Sequence, residues 1–328
     1  MMNSLTDSYG RKHTYLRISV TDRCNLRCFY CMPHDGIKWL NKKSLLTFEE
    51  IERVSRVFVS LGIDKIRLTG GEPLLRNDLP CLAAKLSSIP GLKRLSMTTN
   101  AMLLAKFSSQ LKVSGVTHLN ISLDSLRKER FEKITGRDSL ESVLAGIEQA
   151  LQTGFESIKV NMVVIAGVND NEILDFIDHF KYQPVNLRFI EFMPFKNNDW
   201  VIDKVFSYKQ MLELISEKYK LSPIDTEPSA VAKDYKVDGI DATVSFVTSM
   251  TESFCGTCNR VRLTSDGSIK SCLFHPAEVN LRDSIRQGAT DTEIASMIKY
   301  AIGEKPEAHL PAEDLAKNDN RSMIEIGG

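Results

Sequence analysis

The chain has no excess charge of either sign and no long apolar run. Its 328 residues include 42 Lys and Arg and 42 Asp and Glu, so the formal net charge is zero. This balance lacks the basic footprint of a nucleic-acid-binding protein. No run approaches the ~20 apolar residues of a membrane-spanning helix, and residues 1–13 lack the apolar stretch of a secretory leader. We therefore expect a cytoplasmic protein that partners neither nucleic acid nor membrane.

Cysteine is scarce, and six of its seven occurrences form two groups of three. The first cysteine set comprises Cys24, Cys28 and Cys31, and the second cysteine set comprises Cys255, Cys258 and Cys272. Thiols grouped in this way in a reducing compartment indicate metal binding rather than disulfides. The seventh, Cys81, lies in an apolar run and is expected to be an inert core thiol.

Three thiolates can hold three irons of a [4Fe-4S] cluster and leave the fourth iron open to a small molecule. Closed electron-transfer clusters use four cysteines instead. The C-x3-C-x2-C spacing of the first cysteine set resembles the signature of the radical S-adenosylmethionine (SAM) enzymes. The alternative is a structural zinc site with a fourth ligand. His34 is the candidate beside the first cysteine set and His275 beside the second.

Short β-branched runs alternate with helical patterns over the first two thirds of the chain. We predict strands at residues 15–20, 65–69, 94–98, 118–123, 157–164 and 187–192. Thr47 and Glu50 form a capping box that opens a helix after the first strand. Alternation of this kind predicts an α/β fold with a parallel sheet, and polar residues end strand after strand, as at the mouth of a β/α barrel. Six strands indicate an incomplete (β/α)6 TIM-type barrel with an open side.

The alternation stops after Met193, and the rest of the chain predicts an α+β region. We expect a helix at residues 207–220, a linker at 223–228 and two hairpins with Asp-Gly turns at Asp238 and Asp266. The second hairpin would bring together Cys258 and Cys272. These patterns predict a core domain at residues 1–222 and a C-terminal auxiliary region at 223–328.

With these motifs together, the chain resembles the GTP 3′,8-cyclase family over nearly its whole length. The match rests on Thr21-Asp22-Arg23-Cys24-Asn25, on Gly70-Gly71-Glu72-Pro73, on Cys258-Asn259-Arg260-Val261-Arg262 within the second cysteine set, and on the terminal Gly327-Gly328. One departure is Ala101, which stands where the family has glycine. We expect a small backbone adjustment there and no change of reaction.

The resemblance implies a radical SAM core and an auxiliary cluster region, with two [4Fe-4S] clusters and SAM as cofactors. In this family, reductive cleavage of SAM gives a 5′-deoxyadenosyl radical that removes hydrogen from C3′ of the GTP ribose. The sugar radical then attacks C8 of guanine to give 3′,8-cyclo-7,8-dihydro-GTP, the first step of molybdenum cofactor biosynthesis. The cofactor carries the hard chemistry and the protein supplies positioning.

The resemblance also assigns roles to particular residues. The expected SAM contacts are Tyr30, Gly71, Glu72, Ser122 and Met193. The expected GTP contacts are Arg17, Arg67, Thr98, Lys159, Arg260 and Arg262, with Arg188 as a weaker candidate. Charged residues inside strand-like apolar runs are costly unless they face an anion, and residues two apart on a strand share a face. Gly327 and Gly328 are expected in the active-site cavity, where residues without side chains can thread a narrow space.

The remaining implied partners are proteins. They are an electron donor such as flavodoxin or ferredoxin, the downstream cyclic pyranopterin monophosphate synthase, and a second copy of the chain in a homodimer.

Overall fold

The computed structural model describes residues 4–32, 36, 39–317 and 321–327. Over these residues there are twelve strands: β1 (Tyr15–Ser19), β2 (Lys65–Thr69), β3 (Arg94–Thr99), β4 (His118–Ser122), β5 (Ser157–Val164), β6 (Val185–Glu191), β7 (Leu221–Ile224), β8 (Ala232–Val237), β9 (Thr243–Val247), β10 (Arg260–Leu263), β11 (Ser268–Lys270) and β12 (Val279–Asn280).

The same described ranges contain eleven α-helices: α1 (Phe48–Ser60), α2 (Leu79–Ser87), α3 (Leu104–Val113), α4 (Lys128–Thr135), α5 (Leu140–Thr153), α6 (Ile173–Phe180), α7 (Tyr208–Ser216), α8 (Leu281–Arg286), α9 (Asp291–Gly303), α10 (Ala312–Lys317) and α11 (Met323–Ile326). None of the described helices has the length and apolar character needed to cross a membrane.

The strands form one mixed sheet in the order β12-β11-β10-β1-β2-β3-β4-β5-β6-β9-β8-β7. Strands β1 to β6 lie in chain order and are parallel, as their connection through helices requires. Strands β10 and β9 extend the parallel part at its two sides, next to β1 and β6. The remaining pairings are antiparallel. The α/β prediction is therefore confirmed, with a sheet wider than the six strands that we predicted.

The parallel strands alternate between apolar and polar side chains. On β1, Leu16 and Ile18 are fully buried in the main core, while Tyr15, Arg17 and Ser19 point to the opposite face. Register neighbours in a parallel sheet share a face, so the polar side extends from strand to strand. We call it the polar face; it carries Arg260, Arg262, Tyr15, Arg17, Ser19, Lys65, Arg67, Thr69, Ser96, Thr98, His118, Asn120, Ser122, Lys159, Asn161, Asn186, Arg188, Thr243 and Ser245.

Helix α1 shows how the local sequence builds the layer behind the sheet. The Thr47 hydroxyl accepts a hydrogen bond from Glu50 N at 3.1 Å, and the Glu50 carboxylate accepts one from Thr47 N at 2.8 Å. This reciprocal capping box starts the helix where the sequence predicted it. Ile51, Val54 and Phe58, spaced three and four apart, are fully buried against the core.

Two details differ from the sequence predictions. The predicted linker at 223–228 is partly a strand, because Pro223 lies in the edge strand β7 and pairs in register with Tyr235. An edge strand tolerates proline since one side of it needs no ladder hydrogen bonds. Cys81 is exposed rather than in the core. Helix α2 buries Leu79, Leu82, Ala83 and Leu86, so position 81 falls on its solvent side.

Candidate active site

The first cysteine set lies in the loop that follows β1. Cys31 N and Met32 N both donate to Cys28 O at 3.0 Å, which folds the segment into a tight turn. The loop is fixed to α4 by Arg27 N donating to Thr135 O at 2.7 Å and by a second bond two residues later. The three thiols therefore sit on a braced turn at the C-terminal edge of the parallel strands.

The thiols of the first cysteine set interact electrostatically with one another. Burial raises the pKa of Cys24 to about 11. Burial, together with Asp124 and neighbouring thiols, raises the pKa of Cys28 and Cys31. Charge on one thiol opposes charge on the next, so three thiolates here require a cationic group between them. All three are free of disulfides, and this donor set fits an iron–sulfur cluster. Among the described residues, no three His, Cys, Asp or Glu side chains are grouped so that they could hold a single metal ion.

Gly70 and Gly71 allow the loop after β2 to lie directly on the segment that leads into the first cysteine set. Gly71 N donates to Thr21 O at 2.8 Å, and Glu72 N donates to Arg23 O at 2.7 Å. A Cβ on Gly70 would lie 2.7 Å from Thr21 O, and a Cβ on Gly71 would overlap the Arg23 backbone. The two glycines are thus explained by contact with the protein's own chain, and a role for Gly71 towards SAM stays a prediction.

Glu72 is fully buried at the same edge. Its carboxylate accepts hydrogen bonds from Leu74 N at 3.0 Å, Thr99 Oγ1 at 2.8 Å and Asn100 N at 2.7 Å. Burial raises its pKa to about 7 against the lowering effect of these donors. Glu72 therefore joins the ends of β2 and β3, and its predicted contact with the SAM ammonium remains a prediction.

Asn100 extends this network to the cysteines. Its side-chain amide donates to Asn25 Oδ1 at 2.7 Å and lies 3.8 Å from Cys24 Sγ. The next residue, Ala101, has φ 61 and is fully buried. A non-glycine residue in this left-handed region costs about 1–2 kcal/mol. Alanine thus keeps the backbone conformation that glycine would adopt freely.

Tyr30 is held by the carboxylate of Asp124, two residues beyond the end of β4. The Tyr30 hydroxyl donates to Asp124 Oδ2 at 2.6 Å, and the other oxygen accepts from Val163 N at 2.9 Å. Burial raises the pKa of Asp124 to about 6. Asn198 ties the loop after β6 to the same place, because its amide donates to Met193 O at 2.9 Å and to Tyr30 O at 3.3 Å.

The predicted SAM residues thus fall at one edge of the sheet. Ser122 ends β4, and Met193 lies two residues beyond β6; both are half-buried. Sequence reasoning missed Asn198 as a bracing residue, since an isolated asparagine in a loop gives no signal.

The predicted phosphate ligands belong to the polar face. In register, Arg17 lies between Arg67 of β2 and Arg262 of β10, and Arg260 lies beside Tyr15. Burial and the neighbouring cations lower the pKa of Arg17 to about 10. Such mutual repulsion between buried cations is relieved by an anion.

Strands β5 and β6, at the other end of the polar face from β10, carry two further cations. Burial and the charge of Arg188 lower the pKa of Lys159 to about 8, and burial with the charge of Arg67 lowers that of Arg188 to about 10. Arg67 Nη1, Arg188 Nε and Thr98 Oγ1 are buried atoms that have no hydrogen-bond partner among the described residues. Unpartnered donors on buried cations are the groups that an anionic ligand would complete.

Tyr15 was not predicted as a site residue, although its position two residues before Arg17 places both on one face. Its hydroxyl accepts a hydrogen bond from Arg67 Nε. Burial opposes ionisation, but the charges of Arg67 and Arg17 outweigh it and lower the pKa of Tyr15 to about 7. The phenol therefore reports the positive potential of the polar face.

The second cysteine set flanks the hairpin of β10 and β11, as predicted. Burial raises the pKa of Cys258, but Arg260 and Lys305 outweigh it and lower it to about 6. A hydrogen bond with His309 overcomes burial at Cys255 and lowers its pKa to about 7. The surroundings of Cys255 and Cys258 therefore favour the thiolate form, and the donors of this set also fit an iron–sulfur cluster.

The histidines proposed for a zinc site have different outcomes. His34 lies outside the described residues. His275 is exposed, with its Nδ1 3.8 Å from Glu278 Oε1. His309, which the sequence did not single out, is the histidine that contacts the second cysteine set.

The C-terminal segment packs into the same edge of the sheet. Ile324 and Ile326 are buried, and Ile324 N donates to Cys31 O at 3.4 Å. Arg262 Nη1 donates to Gly327 O at 3.0 Å. Gly327 has φ 87, and a Cβ there would lie 2.5 Å from Ser19 Cβ. The tail thus joins the first cysteine set to the polar face, and only glycine fits at position 327. Gly328 lies outside the described residues.

Two family models match the chain in succession. The model for the Radical SAM superfamily matches residues 18–180, and the model for Molybdenum Cofactor Synthesis C matches residues 185–311. The fold is also similar to the crystal structure of Streptococcus suis SuiB, with a TM-score of 0.61 over 83% of this chain and 64% of that one. Identity there is 13%, so that likeness concerns the fold alone.

Curated relatives are much closer in sequence. The mitochondrial GTP 3′,8-cyclase of Arabidopsis thaliana is 46% identical over 99% of this chain and 83% of its own length. The GTP 3′,8-cyclase of Rhodopirellula baltica is 43% identical over 99% of this chain and 92% of its own. Human molybdenum cofactor biosynthesis protein 1 is 46% identical over 98% of this chain. This chain spans about half, 51%, of that relative's own length. Identity at this level over nearly the whole chain places the protein in the GTP 3′,8-cyclase family of radical SAM enzymes.

Proposed function

We propose that the protein converts GTP to 3′,8-cyclo-7,8-dihydro-GTP, the first step of molybdenum cofactor biosynthesis. The observation that carries this proposal is a chain of contacts across the polar face. Arg260 lies 3.8 Å from Cys258 Sγ, and Arg262 holds Gly327 of the tail that reaches Cys31. Two separate cysteine sets thus border one cationic surface.

The residues of the first cysteine set would hold one [4Fe-4S] cluster, and SAM would lie beside it. When bound, the cluster and SAM supply the 5′-deoxyadenosyl radical that removes hydrogen from C3′ of the ribose. Tyr30, Gly71, Glu72, Ser122 and Met193 would orient SAM. Asp124 and Asn100 would hold Tyr30 and the Cys24 loop in place, as their hydrogen bonds support. Burial of this edge would keep water from the reactive carbon.

The cations of the polar face would bind the triphosphate. Arginine forks suit phosphate oxygens, and the unpartnered donors of Arg67 and Arg188 are oriented by the strands that carry them. Arg17, Arg260, Arg262 and Lys159 would add charge, and Thr98 a hydroxyl.

We further infer that the sheet curls into an incomplete (β/α)6 barrel around this site. Arg188 of β6 and Arg260 of β10 are six strand steps apart, which is roughly 29 Å in a flat sheet. Nevertheless the charge of Arg260 contributes to the lowered pKa of Arg188. At that separation two unit charges would interact by only about 0.6 kcal/mol at an effective dielectric constant of about 20, so this coupling supports curvature that brings the two strands near each other.

The second cysteine set would hold a second [4Fe-4S] cluster, and the guanine would lie against it. Gly327 and Gly328 would then guide the substrate towards bond formation at C8. Five further statements complete the proposal. The two domains divide at residue 222, a flavodoxin or ferredoxin donates the electron, and the product is supplied to cyclic pyranopterin monophosphate synthase. The protein is a homodimer and is located in the cytoplasm. These five statements stay predictions from the sequence.

We expect Arg260→Ala or Arg262→Ala to weaken GTP binding by about 2–3 kcal/mol, because each removes a charge-assisted contact. This corresponds to a roughly 30- to 150-fold higher Kd. Calorimetry with GTP and, separately, with SAM measures the effect, and SAM binding should hardly change. Arg56→Ala is the control, since Arg56 pairs with Glu52 on the exposed side of α1. Equal weakening of both ligands would indicate a folding defect and contradict the phosphate role.

Tyr15 should titrate near neutral pH in the substrate-free protein. Its pKa of about 7 results from cations that favour the phenolate. Bound triphosphate neutralises those cations, so the pKa should then rise towards its ordinary value near 10. Tyrosinate absorbance against pH measures both states, and Tyr15→Phe should remove the transition. A transition that does not move on adding GTP would place the triphosphate elsewhere.

Metal analysis separates this proposal from two alternatives. Anaerobically purified protein should contain about eight irons and eight sulfides per chain, as two clusters require. Stoichiometric zinc would instead support a zinc-stabilised binding module. A second enzyme alternative, a two-cluster radical SAM enzyme that acts on a peptide or modified base, would have the iron but would not consume GTP.

A further inference from the structure

The second cysteine set has a buried lysine beside it that the proposed reaction does not use. Lys305 follows α9 and is 3% exposed. Its ammonium nitrogen lies 3.4 Å from Cys258 Sγ and donates to Arg260 O at 2.9 Å. Buried lysines are rare unless they are paired, so this placement requires a compensating charge.

The compensating charge comes from the cysteines. Burial lowers the pKa of Lys305, and the sulfurs of Cys258 and Cys272 oppose that lowering. Its other neighbour is His13, whose Nε2 lies 2.9 Å away. An ammonium only donates, so this ring nitrogen accepts. His13 is 1% exposed, so this second contact of the lysine is also buried.

The N-terminal segment braces this arrangement. Arg11 donates to Cys255 O at 2.9 Å and to Glu307 O at 2.6 Å. It also pairs with Asp7 at 2.6 Å. The chain just after Lys305 and the loop of the second cysteine set are thereby held to one another. The lysine has little freedom to leave the thiolate.

The two cysteine sets consequently differ in the charge of the residues that surround them. Cys28 and Cys31 of the first set lie near the carboxylate of Asp124. Cys258 of the second set lies near the cations of Lys305 and Arg260. Hydrogen bonds and charges at cluster sulfurs set reduction potentials, and a nearby cation favours the reduced, more negative state.

We propose that Lys305 is a positioning residue of the second site. Its ammonium donates to Cys258 Sγ and offsets negative charge there, so that the cluster held by the second cysteine set is reduced at a higher potential than without it. This inference rests on the second cluster of the proposed function. It adds a residue outside the predicted GTP and SAM contacts.

The test is an electron paramagnetic resonance redox titration of the anaerobic holoprotein, without substrate. At the midpoint potential of the wild-type second cluster, we expect the ratio of reduced to oxidised second cluster to be about tenfold lower in Lys305→Met. Tenfold equals about 59 mV for a one-electron couple. Lys305→Gln, a neutral donor, should fall between the two. The first cluster is an internal reference and should not shift, and Lys299→Met, at an exposed position of α9, is the control.

Unchanged midpoints in Lys305→Met, with about eight irons per chain, would overturn the inference alone. About four irons in the wild type would remove the second cluster and the inference together. If Lys305→Met and Lys305→Gln lose the second cluster, Lys305→Arg, which keeps the positive charge, should retain the cluster with a midpoint close to that of the wild type; a midpoint lowered as far as in a neutral variant would contradict the proposal. Equal loss of iron in Lys305→Arg would indicate a packing role and contradict the proposal.

Discussion

Replacing any one of Cys24, Cys28 or Cys31 with alanine is expected to abolish formation of 5′-deoxyadenosine and to leave the second cluster largely in place. The physical reason is that each thiol is one of three proposed cluster ligands in the loop after β1, and that loop contains no fourth cysteine to replace it. The two cysteine sets belong to different strand ends, β1 and β10, so loss of one should not unfold the other.

The measurement is chromatographic detection of 5′-deoxyadenosine after anaerobic incubation with SAM and dithionite, with iron content determined on the same sample. Cys81→Ala is the matched control, because Cys81 is an exposed thiol of α2 outside both cysteine sets. It should retain full activity. A first-set variant that still cleaves SAM would show that radical formation had been assigned to the wrong residues.

Deleting Gly327 and Gly328 should stop or misdirect formation of the cyclic product while both clusters and SAM cleavage persist. The tail segment reaches the polar face through the bond from Arg262 to Gly327 O. Its anchoring residues, Ile324 and Ile326, precede the deletion and remain buried. The variant therefore removes the end that lies against the polar face and keeps the part that packs.

A substitution tests the same claim without shortening the chain. Gly327→Ala would force a Cβ to within 2.5 Å of Ser19 Cβ and 3.0 Å of Thr69 Oγ1. Gly288→Ala is its control, since Gly288 also has a positive φ, 96, but open space around it. Product should be lost in the first variant only. Cyclisation of GTP by the truncated protein at the full-length rate would return the tail to a structural role.

The sequence predicted the parallel part of the fold well because hydrophobic alternation and turn residues are local signals. The boundaries of β2 and β5 and the capping box at Thr47 agree with the structure. The sheet's true width was not predictable, since β9 and β10 pair with strands far away in the chain. Local patterns carry no information on which distant edges meet.

The candidate site was likewise only partly predictable from the sequence. Cysteine spacing indicated the candidate cluster ligands, and charges inside strands indicated the polar face. The side chains that hold them in place gave no such signal: Asn198 and Lys305 act through contacts with residues distant in sequence. For Gly70 and Gly71 the motif was recognised but its cause was not, because contact with Thr21 and Arg23 requires the folded chain.

Cyclisation of GTP is tested most directly by anaerobic incubation of the reconstituted protein with SAM, dithionite and each nucleoside triphosphate in turn. We expect 5′-deoxyadenosine together with 3′,8-cyclo-7,8-dihydro-GTP when GTP is present, and no cyclic product from ATP, CTP or UTP. Formation of 5′-deoxyadenosine without any consumption of GTP, by protein that contains both clusters, would contradict this expectation.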